Sequence, residues 1–414
     1  MSHLNEGSGS ALLGTLKQIV DPGTELGRSS AVRLRARLQP AGGAGAKLMP
    51  PTYAGDDGPV YVRERRVIEG ERFDCVSLDS VASQANRMEE YLLEEIEDGR
   101  AEVPTIWVDQ GKFGVHTALG FPHRSFDAWI EDAYLDGQRF GDTELWETLA
   151  SSKRRDLTAL MEHSPASVIL GSWASRSKNP QGTARLPRIL ASEIIAVDAE
   201  EGARAASRID VHQISASIPT YAAADGDRFV LDEERAAQDE KGKPILAGAG
   251  EKRGKPSALG YGNVTPQLAS HGGITAGYAL QIATISLPAI RECRFPIEGE
   301  RDRDRDVSGR ALLLALALRM LALQVERGYD LRSGCLLVPE EEPTFELLDP
   351  IAKTTASWPV LGADTAALLD AAVEGARERG IRWETPGLRL KASDVQLELL
   401  ERSLAEAPAE GDGE

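Results

Sequence analysis

The residues best suited to chemistry in this sequence are cations and amides placed to hold phosphate. In the stretch DSVASQANRME, Ser80, Gln84 and Arg87 follow one another at helical spacing from a predicted helix N-cap. Backbone N–H groups at a helix N-terminus, together with an amide and a guanidinium, form a site for phosphate and sugar. Asn86, in the same stretch, offers a further polar contact. A capped helix with polar neighbours explains the pattern equally well, so both interpretations stay open.

A second candidate lies in Ser167–Glu193, where an aromatic residue is followed by a basic, glycine-containing loop. A predicted strand, Ser167–Gly171, brings Trp173 to its end. An aromatic ring beside several cations is an arrangement that holds single-stranded nucleic acid, because bases stack on the ring while phosphates pair with the cations. A core tryptophan beside a solvated loop is the alternative. The cations of this segment are Arg176, Lys178, Arg185 and Arg188.

Two predicted strands carry arginines on one side. Val32–Leu38 alternates apolar and basic residues, so a strand here buries one face and exposes a row of arginines on the other. Val60–Ile68 is expected to form another strand of the same kind. We interpret these arginines as phosphate contacts, with an ordinary solvated surface as the alternative. They are Arg33, Arg35, Arg37 and Arg63.

Glycines are frequent in Gly260–Thr275, a segment that contains Tyr261 and His271 and precedes a predicted strand, Ala279–Leu287. Such a segment is either a flexible finger over a ligand, with His271 as a contact, or an ordinary loop. The earlier segment Asp225–Ala249 is charged and poor in apolar residues, which predicts a mobile insertion.

Catalytic and metal-binding signatures are absent from the sequence. There is no HExxH or GxSxG motif, and Gly254–Lys255 has neither the glycine spacing nor the following Ser or Thr of a Walker loop. The six histidines show no metal-ligand spacing. His123 and Arg124, before a predicted helix, are a weak site candidate and more typical of a helix start. We therefore expect no metal, no cofactor and no enzymatic activity.

Composition places the chain among acidic globular proteins. It has 414 residues, of which 42% are hydrophobic, and a formal net charge of −18. Basic residues concentrate at 28–66 and 172–191, while acids dominate beyond 340, a distribution that suits a protein holding a polyanion in one groove. No apolar run reaches the ~20 residues of a membrane span. Three cysteines without a CxxC pair, and no secretory signal, predict a reducing compartment and a cytoplasmic location.

Strands and helices are predicted in irregular alternation. A helix capped by Asp79 or Ser80 has an acidic face, including Glu89, that should be solvated. A nearly all-apolar helix, Ala311–Val325, is expected to be capped by Ser308. This irregular order favours one α+β core with large excursions over a regular doubly wound sheet. Shorter expected elements are a strand at Val103–Val108 and helices at Phe126–Tyr134 and Asp142–Leu149.

Taken together, four segments resemble one known family. They are DSVASQANRME (79–89), the block SVILGSWAS…QGTARLPR…SEI (167–194), the Gly-Tyr-Gly-Asn…Gly-Gly-Ile-Thr segment (260–275) and GYDLRSGC (328–335). Their order and spacing, across about residues 60–340, resemble the backbone RAMP subunit of type I-G (formerly I-U) CRISPR Cascade complexes.

This resemblance implies a hand-shaped protein built on a ferredoxin-like RNA-recognition palm. Residues 1–340 would form the palm, with finger and thumb insertions at about 40–58, 175–188 and 225–275. Residues 341–414, which resemble nothing in the family, would form an acidic helical extension with a disordered tail. The palm of many RNA-recognition folds carries an aromatic pair on its central strands, and this sequence shows no such pair.

The resemblance also implies the partners. They would be the CRISPR guide RNA, further copies of the chain in a filament, other Cascade subunits, and target DNA through the guide, with no membrane. The subunit would not be a nuclease, and it would read RNA shape and phosphate while base pairing reads sequence. The cationic residues above would then be phosphate contacts.

Two other functions remain open at this point. A RAMP-type endoribonuclease acting on CRISPR or target RNA would use His271, His123 or a loop acid such as Asp225. A scaffold protein without nucleic acid would suit the acidic sequence pI of about 5.0.

Overall fold

The computed structural model describes residues 9–56, 58–176, 183–225, 227–269, 272–351, 353–360 and 364–406. The chain divides into two compact units. Unit 1 comprises Met1–Ala46, Val62–Ala199 and Ala276–Glu414, and unit 2 comprises Lys47–Tyr61 and Glu200–Thr275.

Helices and antiparallel strands are mixed along the described residues, which confirms the α+β class. The helices are α1 (Gly9–Val20), α2 (Val81–Glu97), α3 (Ala128–Glu131), α4 (Glu144–Ala150), α5 (Thr158–His163), α6 (Pro165–Ile169), α7 (Leu287–Glu292), α8 (Arg303–Arg327), α9 (Asp364–Arg377) and α10 (Asp394–Glu406). The strands are β1 (Ala31–Pro40), β2 (Thr52–Gly55), β3 (Gly58–Tyr61), β4 (Arg63–Ile68), β5 (Glu71–Asp79), β6 (Thr105–Asp109), β7 (Val115–Thr117), β8 (Tyr134–Leu135), β9 (Gln138–Arg139), β10 (Ser172–Trp173), β11 (Arg185–Leu186), β12 (Leu190–Glu201), β13 (Arg204–Arg208), β14 (Val264–Ala269), β15 (Ile274–Ser286), β16 (Tyr329–Arg332), β17 (Cys335–Pro339), β18 (Thr344–Leu348), β19 (Thr354–Pro359) and β20 (Gly387–Lys391).

The main sheet is organised around β1. Its strand order is β16–β17–β1–β15–β12–β5–β4, and β18 pairs with both β1 and β19. One edge of β1 pairs antiparallel with β15, and the other edge pairs with β18 at its start and β17 at its end. Helix α2 lies between β5 and β12, which are neighbours in the sheet, whereas α8 lies between β15 and β16, which are separated by β1 and β17.

The alternation read from the sequence explains β1. Val32, Leu34 and Leu38 are almost completely buried, whereas Arg35 and Arg37 are exposed on the opposite face. This confirms the predicted half-buried strand and its arginine row, since side chains alternate between the two faces of a strand.

Helix α2 was predicted correctly in its bounds but not in all of its faces. Ser80 is the N-cap, and its side chain accepts a hydrogen bond from the Ser83 N–H. The expectation that Glu89 lies on a solvated face is wrong, because this residue is only 2% exposed. Its carboxylate accepts two hydrogen bonds from the guanidinium of Arg124.

Helix α8 forms the centre of unit 1. It begins at Arg303, with Asp302 as the N-cap, so Ser308 lies inside the helix and its prediction as the cap is wrong. The error arises because the first two turns are charged and carry no apolar periodicity. From residue 311 to 325 the helix is buried on all sides, and it contacts α1, α2 and α9.

The segment Ser167–Gly171, predicted as a strand, is wrong as well. Pro165–Ile169 forms the short helix α6, with proline in its first turn. A short apolar run fits a buried strand or a buried helix equally well, and here Pro165 is the signal that favours a helix start.

The region beyond residue 340 contributes to the sheets of unit 1. β18 and β19 extend the main sheet, and β20 pairs in parallel with β6 in a second sheet of order β7–β6–β20–β8–β9. The expected domain boundary at 340 therefore does not coincide with a boundary between the units. The predicted disordered tail falls largely outside the described residues, which end at 406.

Unit 2 overlaps two of the predicted insertions, 40–58 and 225–275. It contains the antiparallel pairs β2–β3 and β13–β14. A small apolar cluster packs Val230 and Ala236, in the segment expected to be mobile, with Tyr221, which precedes that segment.

Two predictions from the composition concern the cysteines and membrane-spanning segments. The three cysteines are unpaired with one another and buried, as expected. Among the helices that the structure describes, none combines the length and apolar character that crossing a bilayer requires.

Candidate nucleic-acid interface

A cavity of about 380 Å³ in unit 1 brings together three arginines and an exposed tryptophan. We call it the basic pocket. Its volume falls at the lower end of the ~300–1,000 Å³ typical of small-molecule sites. The residues that line it are Arg124, Leu170, Gly171, Ser172, Trp173, Arg185, Leu186, Pro187 and Arg188.

A two-stranded ladder positions the rim of the pocket. β10 and β11 pair antiparallel, with Trp173 opposite Arg185. Gly171, just before β10, has a φ of +82°, and a Cβ there would lie 2.9 Å from the Leu186 carbonyl oxygen. Glycine is therefore required for the turn that leads from α6 into β10.

Trp173 presents an aromatic surface to solvent. Trp173 is 55% exposed, which excludes the alternative of a core tryptophan. The Arg185 guanidinium lies 5.3 Å from the centroid of the indole ring, within the range of a cation–π contact. The Arg185 guanidinium thus lies over one face of a ring whose residue is more than half exposed.

Arg124 forms the inner wall of the pocket. Its Nε and Nη2 donate to the two carboxylate oxygens of Glu89, at 2.6 and 2.9 Å. Its Nη1 donates to the Gly171 carbonyl at 3.1 Å. Burial raises the pKa of Glu89, and the hydrogen bond and charge of Arg124 oppose that rise. The pair ties α2 to the loop before α3, so Glu89 orients Arg124 and compensates its charge.

Arg188 has a different environment. Within the part of the chain that the structure describes, its guanidinium makes no hydrogen bond or ion pair, although Glu89 acts on it at longer range. Burial and the charge of Arg124 lower the pKa of Arg188, and Glu89 partly offsets this. The guanidiniums of Arg124 and Arg188 repel each other, and Glu89 compensates only one of the two positive charges. The remaining positive charge would attract one more anion.

Other predicted cations of this segment lie elsewhere. Arg176 pairs with Glu131 at 2.9 Å and does not line the pocket. Lys178, like His271 of the glycine-rich segment, lies outside the described residues.

The arginine row on β1 is a separate surface. Arg33 pairs with Glu346 at 2.7 Å, and Arg35 with Glu69 at 3.4 Å. Arg35 and Arg37 line a polar cavity of about 320 Å³ beside residues 340–342. The last arginine, Arg37, pairs with Glu340 at 3.1 Å and lies 3.9 Å over the Tyr278 ring. Each arginine of the row thus has a carboxylate as its neighbour, and Arg63 lies on β4 opposite Val76.

Of the predicted set on α2, Gln84 and Arg87 bind Asp79, which is completely buried. The Asp79 carboxylate accepts hydrogen bonds from Ser83 Oγ at 2.6 Å, Gln84 Nε2 at 2.6 Å and Arg87 Nε at 2.9 Å. Arg332 Nη2 lies 3.3 Å from the same carboxylate. Arg87 also donates to the Leu331 carbonyl.

Gln84 belongs to a chain of buried polar side chains. Its Oε1 accepts from Ser192 Oγ at 2.8 Å, and Gln281 connects Ser192 to the hydroxyl of Tyr329. A contact between Gln84 and RNA would require this side chain to leave the network. Asn86, by contrast, is exposed on the same helix.

The structure therefore gathers Trp173, Arg185 and Arg188 into one site and keeps the β1 and α2 sets apart from it. Sequence reasoning passed over Glu89 and gave Arg124 little weight. Arg124 adopts a φ of +52°, which is uncommon for a residue with a side chain. In the described ranges, no group of histidine, cysteine or acidic side chains is suited to hold a metal ion.

Residues 32–201 match the family model described as CRISPR-associated protein GSU0053. The matched segment runs from β1 to the end of β12 and contains the basic pocket. The match indicates a CRISPR-associated protein. It supports a role in CRISPR defence, and no curated protein shows a significant match to the chain.

Proposed function

We propose that this CRISPR-associated chain is the guide-RNA-binding backbone subunit of a type I-G Cascade complex. Several copies would polymerise along one CRISPR RNA in the cytoplasm, beside other Cascade subunits, and present the guide for pairing with target DNA. The subunit holds the RNA without catalysing a reaction. The observation that carries the proposal is the basic pocket, because an exposed tryptophan flanked by cations matches the chemistry of single-stranded RNA.

The connectivity of the main sheet supports an RNA-recognition palm of the RAMP type. The chain passes through β1, α2, β12, β15, α8 and β17 in that order. In the sheet, these four strands stand in the order β17–β1–β15–β12, that is fourth, first, third, second. This is the arrangement of the ferredoxin-like β-α-β-β-α-β motif. Unit 2, which comprises Lys47–Tyr61 and Glu200–Thr275, overlaps the expected insertion ranges of about 40–58 and 225–275.

Charge distribution is consistent with the same role. A protein with a net charge of −18 repels nucleic acid at most of its surface. Arg185 and Arg188 are cations to which no described carboxylate is bonded, whereas the β1 arginines are already paired. RNA would therefore be attracted to the basic pocket first.

The endoribonuclease alternative has no comparable support among the described residues. Asp225 pairs with Arg235 at 2.9 Å, and this hydrogen bond lowers the pKa of the carboxyl, which makes it a weak base. His123 is exposed, and among the described residues its hydrogen bonds involve its backbone N–H, which donates to Asp127, and its carbonyl, which accepts from the Phe126 N–H. Incubation with repeat-containing RNA, with and without Mg²⁺, should give no discrete products.

The decisive experiment is purification of the chain after co-expression with a CRISPR array. We expect a large particle with a high 260/280 nm absorbance ratio, whose sequenced RNA corresponds to one repeat–spacer unit. A small particle free of nucleic acid would contradict the proposal and favour a scaffold role.

A further inference from the structure

The basic pocket has three properties that together specify a ligand. It holds an indole that is 55% exposed, a guanidinium over that ring, and a second guanidinium to which no carboxylate of the described residues is hydrogen-bonded. We propose that the pocket binds one unpaired nucleotide, with its base stacked on Trp173 and its phosphate held by Arg188 and Arg185. This inference rests on the proposed RNA-binding function and assigns its contact site.

The exposed Trp173 ring favours a nucleotide over a simple anion as the ligand. A site that binds a phosphate or a carboxylate needs no aromatic side chain. Every nucleobase, in contrast, has a π-face that stacks on an indole. The Arg185 guanidinium lies over one side of Trp173, so a base stacked on the opposite side would extend a stack of guanidinium, indole and base. An acidic peptide would use the cations and leave the ring unoccupied.

The ligand must be single-stranded at this position. A base inside a duplex is stacked on both faces by its neighbours, so neither face is available to Trp173. Since stacking does not read hydrogen-bonding edges, the pocket should accept any of the four bases with modest preferences.

Charge compensation divides the arginines into two roles. Glu89 holds Arg124 by two hydrogen bonds, so Arg124 is a positioning residue that shapes the wall and adds little net charge. Arg188 and Arg185 make no ion pair with a described residue, and they are the cations that a phosphate would neutralise. Removing either one should reduce the slope of log K against log salt by about 0.7, the value for one phosphate of a single strand.

The test uses the full chain freed of co-purified RNA. Binding of a short oligouridylate is followed by tryptophan fluorescence quenching and, separately, by filter binding. Stacking energies of single bases predict that Trp173→Ala lowers the affinity roughly 5-fold to 150-fold and removes most of the quenching. Trp173→Phe keeps a ring and should retain most of the affinity. Arg402→Ala, which removes an exposed arginine of α10, is the matched charge control and should leave both affinity and salt slope unchanged.

Three ligands separate the possible outcomes. An oligonucleotide of abasic units keeps the phosphates, so it should bind as weakly to the wild type as oligouridylate binds to Trp173→Ala. A blunt RNA duplex should cause no quenching. Equal binding of abasic and normal RNA would overturn the stacking, and poly-glutamate that competes as well as RNA would reassign the pocket to an acidic peptide.

Failure of this inference is distinguishable from failure of the proposed function. If RNA binds the wild type and all variants equally, the nucleotide site is elsewhere, while RNA binding by the chain stands. If no single-stranded RNA binds the wild type even at low salt, the proposed function fails together with the pocket. Circular dichroism of each variant shows whether a loss of binding comes from misfolding.

Discussion

Arg87 and Arg185 were both candidates for RNA contact, and the structure gives them different expected phenotypes. Arg87 has a side chain 18% exposed and pairs with Asp79, which is fully buried. Among the described residues, the Arg185 guanidinium makes no ion pair and lies over the Trp173 ring. We therefore predict that Arg87→Ala mainly destabilises the fold, whereas Arg185→Ala mainly weakens RNA binding.

The expected magnitude follows from the contacts that remain. Loss of one partner from a fully buried ion pair costs ~3–5 kcal/mol because a charge is left uncompensated. Without Arg87, however, the Asp79 carboxylate still has Arg332, Ser83 and Gln84. The cost should therefore approach that of a charged hydrogen bond, about 1.5–3 kcal/mol.

Two further variants give the upper and lower limits of the expected loss of stability. Asp79→Ala removes the carboxylate that the cluster shares and should cost about 3–5 kcal/mol. Arg185→Ala is a surface change, for which about 0.5 kcal/mol or less is expected. Destabilisation should thus decrease in the order Asp79, Arg87, Arg185, and loss of RNA affinity, measured with the folded variants, should be largest for Arg185.

Urea unfolding followed by tryptophan fluorescence is the appropriate assay. All six tryptophans lie in unit 1, so the signal reports on the unit that contains both arginines. A shift of the midpoint without a change in slope gives the stability difference. If Arg87→Ala leaves the midpoint unchanged but weakens RNA binding tenfold, Arg87 faces RNA and our interpretation of the Asp79 cluster is wrong.

Three other predictions concern stability. Gly309→Ala should lower the unfolding midpoint, because the new Cβ would overlap the Phe295 ring and overpacking of ~1–3 kcal/mol outweighs the ~1 kcal/mol gain in helix propensity. Glu95→Gln should cost about 3 kcal/mol, since it removes a carboxylate from the buried Arg319 guanidinium at 3.0 Å. The hydrogen bond from Arg33 lowers the pKa of Glu346. The ionised Glu346 therefore stabilises the folded state above the usual carboxyl pKa, and this stabilisation is lost as pH falls through the lowered pKa. Acid titration of the wild type against Glu346→Gln measures this difference.

Each of these has a result that would count against it. If Gly309→Ala is as stable as the wild type, the aromatic ring can move aside without cost. An unchanged midpoint for Glu95→Gln would mean that Glu326, at 3.1 Å, compensates Arg319 alone. A stability difference for Glu346→Gln that stays constant down to strongly acidic pH would exclude the ion pair as its source.

Elements with local periodicity were predictable from the sequence. β1 follows from strict alternation, and α2 follows from a capping serine and a buried stripe, both visible within about 20 residues. The charged first turns of α8 and the five-residue helix α6 carry no such pattern. Their bounds depend on packing within unit 1, which a local reading does not contain.

In the candidate site, too, residues that are close in the sequence were predictable and residues that are far apart were not. Trp173, Arg185 and Arg188 were predicted to act together because they lie in one basic segment. Arg124 and its carboxylate partner on α2 are 35 residues apart, and neither has a motif that announces the pair. Likewise, the carboxylates that neutralise the β1 row come from positions 69, 340 and 346, so the sequence showed the arginines but not their pairing.

The position of β18 beside β1 has a consequence for biosynthesis. The ion pair between these strands joins residues that are 313 positions apart. At translation rates of ~5–20 residues per second, β18 is made roughly 15 to 60 s after β1. During that interval the edge of β1 that β17 and β18 later cover has unpaired N–H and C=O groups, and such edges promote aggregation. The nascent chain therefore has a long period in which a chaperone, or its own charged residues at this edge, must keep it from pairing with other chains.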